Sequence, residues 1–232
     1  MQHYLIIGAS SGIGHTLALQ LAESGKHVIA TFHKNEPVLR NPNIQFHHLN
    51  VLEDALSLDF LPDELAGFVY CPGSINLRPF DRIKSADFES DYLLQVVGAI
   101  KLLQAVLPRL KKSNNAAIVF FSTVAVGTGL PFHSQVAASK GALEGLTRAL
   151  AAEYAPNIRV NCIAPSLTDT PLATFLLNSE QKKEVNAMRH PLKRVGTPDD
   201  IASMASFLLS EKASWITGQI LHVDGGMSSI KS

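Results

Sequence analysis

Tyr4-Leu5-Ile6-Ile7-Gly8-Ala9-Ser10-Ser11-Gly12-Ile13-Gly14 decides the architecture. A buried-strand run of apolar residues enters a glycine turn, and helical spacing follows from about Ile13 to Ser24. Gly8 permits a tight turn, Gly12 lets a pyrophosphate approach the backbone, and Gly14 allows the helix to pack closely on the strand. The unpaired N–H groups and dipole of the new helix attract a diphosphate. Strand, glycine turn and helix in this order point to a dinucleotide site, with Gly8, Ser10, Ser11, Gly12, Ile13 and Gly14 around the phosphates.

Outward from this stretch, strand-length apolar runs alternate with helical periodicity. Strands are expected at His27–Phe32, Ile44–Leu49, Ala66–Cys71, Ala116–Ser122, Ile158–Ile163 and Gln219–Val223. Helices are expected at Asp87–Lys111, Ser134–Tyr154 and Pro198–Leu209. Continuous rather than alternating apolar strands imply burial on both faces, hence a single doubly wound parallel α/β sheet with helices on both sides. No Gly/Ser linker or composition shift divides the chain, so residues 1–232 read as one domain. The connections Asn35–Asn43 and Asp54–Glu64, both interrupted by proline, have little room for a full helix.

Of the 232 residues 46% are apolar and 17% charged, which excludes a disordered chain. Twenty basic residues balance twenty acidic ones without a dense basic run, which argues against a nucleic-acid partner. Two cysteines, Cys71 and Cys162, exclude a disulfide scaffold and offer no metal cluster; both read as small buried residues. Met1-Gln2-His3 lacks a charged n-region and the following apolar run stops at Gly8, so neither a signal peptide nor a membrane span is expected. The expected location is the cytoplasm.

The glycine spacing, Ala138-Ser139-Lys140-Gly141-Ala142-Leu143, Ile158 to Pro165, Arg194-Val195-Gly196-Thr197-Pro198 and Ile216 to Gly226 together resemble the short-chain dehydrogenase/reductase family. The resemblance covers essentially the whole chain and is strongest to the 3-oxoacyl-carrier-protein reductase type. It implies a nicotinamide dinucleotide lying across the strand ends, with Pro165, Thr168 and Thr170 against the nicotinamide. Asn50 stands where the family usually has Asp and can still hydrogen-bond adenine; Val51 and Gly73 complete the implied cofactor set. The end of the second strand, Thr31-Phe32-His33-Lys34, carries no acid to repel a 2′-phosphate and has two candidate cations in His33 and Lys34, so NADP is favoured over NAD.

The active site departs from the family pattern. Lys140 is present, but the usual Tyr four positions earlier is Val136, which cannot donate a proton. Thr123 aligns with the family's Ser, with Ser122 as fallback; Gln95 aligns with its helix Asn and Tyr70-Cys71-Pro72-Gly73 with its Asn-Asn-Ala-Gly turn. Loss of a general acid removes about 10²–10⁴-fold of rate. His133, seven positions before Lys140, lies where the enoyl reductase branch places its Tyr and would share a helix face with Val136 and Lys140. The expected activity is NADP-dependent reduction of a carbonyl compound such as a 3-oxoacyl thioester, with Thr123 polarising the carbonyl, Lys140 holding the ribose, and His133 or water giving the proton. Two alternatives stand: an enoyl-thioester reductase using His133, and a non-catalytic cofactor-binding subunit paired with an active homologue. Leu172 to His190 should cover the site, with Phe175-Leu176-Leu177 suggesting an apolar or acyl ligand. The resemblance further implies a homo-oligomer, tetramer or dimer, for which Asp87–Lys111 and the small residues Ala138, Ala142, Gly145 and Ala149 suit helix packing.

Overall fold

The computed structural model describes residues 2–39 and 41–230. Met1, Arg40, Lys231 and Ser232, and with them the ends of the expected 1–232 span, lie outside the described residues. Strands β1 (His3–Ile7), β2 (His27–Phe32), β3 (Ile44–His48), β4 (Gly67–Tyr70), β5 (Ala116–Phe121), β6 (Ile158–Pro165) and β7 (Ile220–Val223) form a seven-stranded sheet. Every pairing is parallel, in the order β3-β2-β1-β4-β5-β6-β7. The order reverses between β1 and β4, so the connections leaving those two strands diverge and open a crevice at their carboxyl ends.

Alternation along the strands supplies two cores. Leu5, Ile7, Ile118 and Phe120 point into one layer; Tyr4, Ile6, Val119 and Phe121 point into the other. Helices α1 (Gly12–Glu23) and α7 (Pro198–Leu209) close the second layer with Leu17, Leu21, Ile201 and Leu208. The first is closed by α5 (Ser134–Tyr154) and by a continuous helical rod over 85–110, which contribute Leu143, Ala151, Leu102 and Val106.

That rod is α2 (Ser85–Tyr92), a π turn at Leu93–Val97 and α3 (Gly98–Leu110). It starts two residues before the expected Asp87, stops one before Lys111, and holds an unexpected widened turn. By length and composition it could cross a membrane, yet Val96, Ala99, Leu102, Leu103 and Val106 are buried against the sheet. A short α4 (Ala125–Thr128) follows β5, and an unexpected α6 (Glu180–Met188) lies within the segment between β6 and α7. Helix α7 starts at Pro198 after the Thr197 cap, whose hydroxyl accepts from Asp200 N while the Asp200 carboxylate accepts from Thr197 N.

Candidate functional site

The turn after β1 is held by backbone geometry and by one side chain that sequence spacing did not single out. Gly8 adopts φ +77°, and its N–H donates to Thr31 Oγ1 at 3.1 Å. Thr31 is buried at the end of β2, so the neighbouring strand pins the turn. At Gly14 an added Cβ would lie 2.5 Å from the Gly8 carbonyl oxygen, so no larger residue lets α1 approach β1 this closely. Ser11 caps α1 with its backbone only, leaving the first-turn N–H groups open to a ligand.

Two adjoining cavities occupy the crevice. One, of about 540 Å³, runs from Gly8, Ser10, Ser11, Gly12, Ile13 and Gly14 past Thr31, His33 and Lys34 to Asn50 and Val51. His33 and Lys34 are exposed at its far end, and the Asn50 side chain accepts from Leu52 N at 3.1 Å, keeping its amide N–H₂ outward-capable. The second, of about 240 Å³, is mostly apolar and holds Thr123, His133, Val136, Lys140, Pro165, Ser166, Thr168 and His190. Ile13, Cys71, Gly73, Thr170 and Leu172 line both, so every residue expected around the cofactor or the chemistry borders one continuous space.

Within that space the polar groups are individually oriented. Thr123 Oγ1 accepts from Ala125 N at 3.3 Å, which leaves its hydroxyl proton free to donate. Ser122, the fallback, instead donates to Glu144 Oε1 at 2.7 Å. Lys140 is buried, and desolvation draws its ammonium below the ordinary lysine range while Cys162, Asp91 and Cys71 act the other way. Burial pushes the Cys71 and Cys162 thiols up to about 12. Asp91 is buried and accepts from Ser74 Oγ, from Gln95 Nε2 at 2.8 Å and from Ser139 Oγ at 2.6 Å. Gln95 Oε1 is buried and has no partner among the described residues, and both it and Lys140 Nζ approach Gly73.

Three expectations need correction. His133 does not share a helical face with Val136 and Lys140: α5 begins at Ser134, and His133 is its N-cap with ψ 9°. Its ring still borders the cavity, with Nδ1 held 2.7 Å from Pro131 O. Of Phe175-Leu176-Leu177 only Leu176 lines the cavity; Phe175 is exposed and Leu177 buried elsewhere. Thr168 turns its hydroxyl inward to Ser166 O at 3.0 Å, leaving Thr170 as the threonine that faces both cavities.

The cradle fits a dinucleotide: a diphosphate-sized gap at the open end of α1, bounded by glycines whose Cβ atoms would fill it, leads to a pocket with a buried unpartnered amide oxygen. A family model described as Enoyl-(Acyl carrier protein) reductase matches residues 8–228. Dehydrogenase/reductase SDR family member 4 of Homo sapiens is 32% identical over 97% of this chain and 87% of its own length. The chain belongs to the short-chain dehydrogenase/reductase family. Another member of that family, the 3-oxoacyl-(acyl-carrier-protein) reductase FabG of Thermotoga maritima, is 32% identical over 96% of both chains. Among solved structures, ligand-free aldohexose dehydrogenase of Thermoplasma acidophilum superposes with a TM-score of 0.91 at 27% identity, covering 100% of this chain and 96% of that one. ElxO with NADP bound superposes at 0.90 with 26% identity, covering 99% of each. This short-chain dehydrogenase/reductase is thus an oxidoreductase by family, on a Rossmann-like sheet.

Proposed function

We propose that the chain is an NADP(H)-dependent reductase of a carbonyl compound, with a 3-oxoacyl thioester as the substrate class. The continuity of the glycine cleft with the apolar cavity carries the reading, because it lets one ligand reach from α1 to Thr123 and Lys140. Gly8, Ser10, Ser11, Gly12, Ile13 and Gly14 would hold the diphosphate, Asn50 and Val51 the adenine, and Gly73, Pro165 and Thr170 the nicotinamide end. His33 and Lys34, exposed with no acid beside them before Glu36, favour a 2′-phosphate. A bound reduced nicotinamide supplies hydride. Thr123 donates its free hydroxyl proton in a hydrogen bond to the carbonyl oxygen and stabilises the charge that develops there. Lys140 gives its ammonium to the ribose hydroxyls, and Val136 excludes water where a tyrosine would stand.

The family-model description and the place of His133 favour a second reading, reduction of an enoyl thioester. Since a carbonyl oxygen only accepts, the contact with Pro131 assigns the proton to Nδ1 of His133; Nε2 then donates only from the imidazolium. A cytoplasmic homo-oligomer is the setting we assign to either reaction. Titrating NADPH and NADH while following nicotinamide fluorescence tests the cofactor, and we expect at least tenfold tighter NADPH binding, about 1.4 kcal/mol. Equal or tighter NADH binding overturns the NADP assignment. NADPH binding without turnover of either 3-oxoacyl or enoyl thioesters would make the chain a non-catalytic subunit.

A further inference from the structure

The apolar cavity has a second polar corner, built by residues that neither the glycine turn nor the lysine motif includes. His190 follows α6 and is 3% exposed. Its Nδ1 lies 2.9 Å from Asn186 O and its Nε2 lies 2.8 Å from Ser166 Oγ. Because the carbonyl can only accept, Nδ1 carries a proton in every charge state. A neutral ring therefore accepts the Ser166 hydroxyl proton at Nε2, whereas an imidazolium donates from Nε2 to Ser166 Oγ. In the second state the hydroxyl proton turns elsewhere, and Met227 Sδ at 2.9 Å marks one such direction. The Ser166 hydroxyl thus has two orientations, coupled to the charge of the ring behind it. Ser166 and His190 both border the cavity that holds Thr123 and Val136.

We propose that Ser166 and His190 deliver the proton that Val136 cannot, an inference that rests on the carbonyl-reductase reading. Hydride from a reduced nicotinamide dinucleotide forms the new C–H bond and leaves an alkoxide. The alkoxide oxygen takes the Ser166 hydroxyl proton while Ser166 takes the Nε2 proton of His190. Carbonyl, hydride and proton become an alcohol, the dinucleotide is oxidised, and His190 is left neutral. A third cavity of about 190 Å³, lined by Ser166, His190, Arg194, Asp200 and Asp224, borders the same ring and hydroxyl and is where solvent would restore the proton.

The charged groups around the ring come from four directions. Arg189 precedes it and Lys193 N donates to the His190 carbonyl. Arg194 and Asp200 pair with each other at 2.5 Å. Asp224, from the turn after β7, holds Ser228 and Gly226 N–H groups. Lys140 and His133 share the reaction cavity. The ring thus shares its outer cavity with the Arg194 guanidinium and the Asp200 and Asp224 carboxylates.

The test compares wild type, His190→Gln, Ser166→Ala and His133→Ala across about pH 5–8, the range in which imidazoles exchange their proton. Turnover of acetoacetyl thioester with NADPH, NADPH affinity and the imidazole NMR signals of the wild type are read together. The relay requires wild-type kcat to fall as pH rises. It requires kcat about 10²-fold lower in His190→Gln and Ser166→Ala, with KM and NADPH affinity within about twofold, and no such pH limb in His190→Gln. It also requires the His190 ring to titrate with Nδ1 protonated throughout, a readout that needs neither turnover nor a variant. Near-wild-type kcat in either variant, a limb lost in His133→Ala instead, or a ring that stays neutral over the range overturns the relay alone. A wild type that binds NADPH and reduces no carbonyl substrate overturns the reductase reading and the relay with it.

Discussion

Val136 is 6% exposed and lines the same cavity as Thr123 and Lys140, so its substitution tests the site's geometry directly. Val136→Tyr places a phenolic hydroxyl, able to donate a proton, in the wall of this cavity. If Thr123 and Lys140 hold a carbonyl and a ribose as proposed, adding Val136→Tyr to His190→Gln should recover turnover of a 3-oxoacyl thioester, approaching the about 10²-fold lower end of general acid catalysis. No gain in a folded, NADPH-binding variant would count against carbonyl reduction. Lys140 gives a second test at this scale. Burial lowers its ammonium's proton affinity in the folded state, so the unfolded chain binds the proton more readily. The sign follows: this residue costs stability at neutral pH, and the cost fades as pH rises toward the unfolded lysine value of about 10.4. Lys140→Met should therefore leave the melting temperature unchanged or raise it, while weakening NADPH binding about tenfold or more. A large loss of stability in calorimetry would show that the ammonium is held by more than Asp91.

At the scale of elements, the rod 85–110 joins fold to site through its π turn. The widened turn at Leu93–Val97 carries Gln95, and Asp91 one turn earlier ties the rod to Ser74 after β4 and to Ser139 on α5. Asp91→Ala would leave two buried donors, Gln95 and Ser139, and the half-buried Ser74 without their acceptor and should cost about 3 kcal/mol, read from urea unfolding with an unchanged m value. Gln95 was legible only through the family resemblance, and the tie made by Asp91 was not legible in the chain at all. Asp91 sits among Glu89, Ser90 and Tyr92 and reads as a solvated face, and the apolar run after it gives no sign of a widened turn. Elements with a strong local signal fared better. Ser134–Tyr154 and Pro198–Leu209 begin and end where their periodicity and the Thr197-Pro198 start signal put them. Helix α6 went unseen because Glu180–Met188 buries no residue and so has no apolar stripe to reveal it. The glycine cradle was legible because it is local, whereas Thr31 and Gly8 or Ser166 and His190 meet only through tertiary packing.

At the scale of the whole molecule, the crevice and the sheet explain a binding site but leave one helical surface apolar. Tyr92, Leu93 and Val97 are 44%, 50% and 37% exposed along the rod, and Ala138, Gly145 and Ala149 are exposed on the adjacent α5. Small residues beside apolar ones let two helices approach closely, and a patch of this kind on a charged-neutral chain favours self-association over solvation. We therefore expect a dimer or tetramer by sedimentation at micromolar concentration. A two-fold interface presents each patch residue twice, so one charge introduced there acts on both sides. Leu93→Glu should shift the population toward the monomer while the isolated fold survives, since this side chain points away from the core. Because the π turn that bears Leu93 also bears Gln95, loosening the interface should lower NADPH affinity as well, in parallel with the mass. A wild-type chain that sediments as a monomer would reject the oligomer. An unchanged mass for Leu93→Glu in an oligomeric protein would move the interface to another face, where Phe207 and the fully exposed Trp215 also present apolar surface.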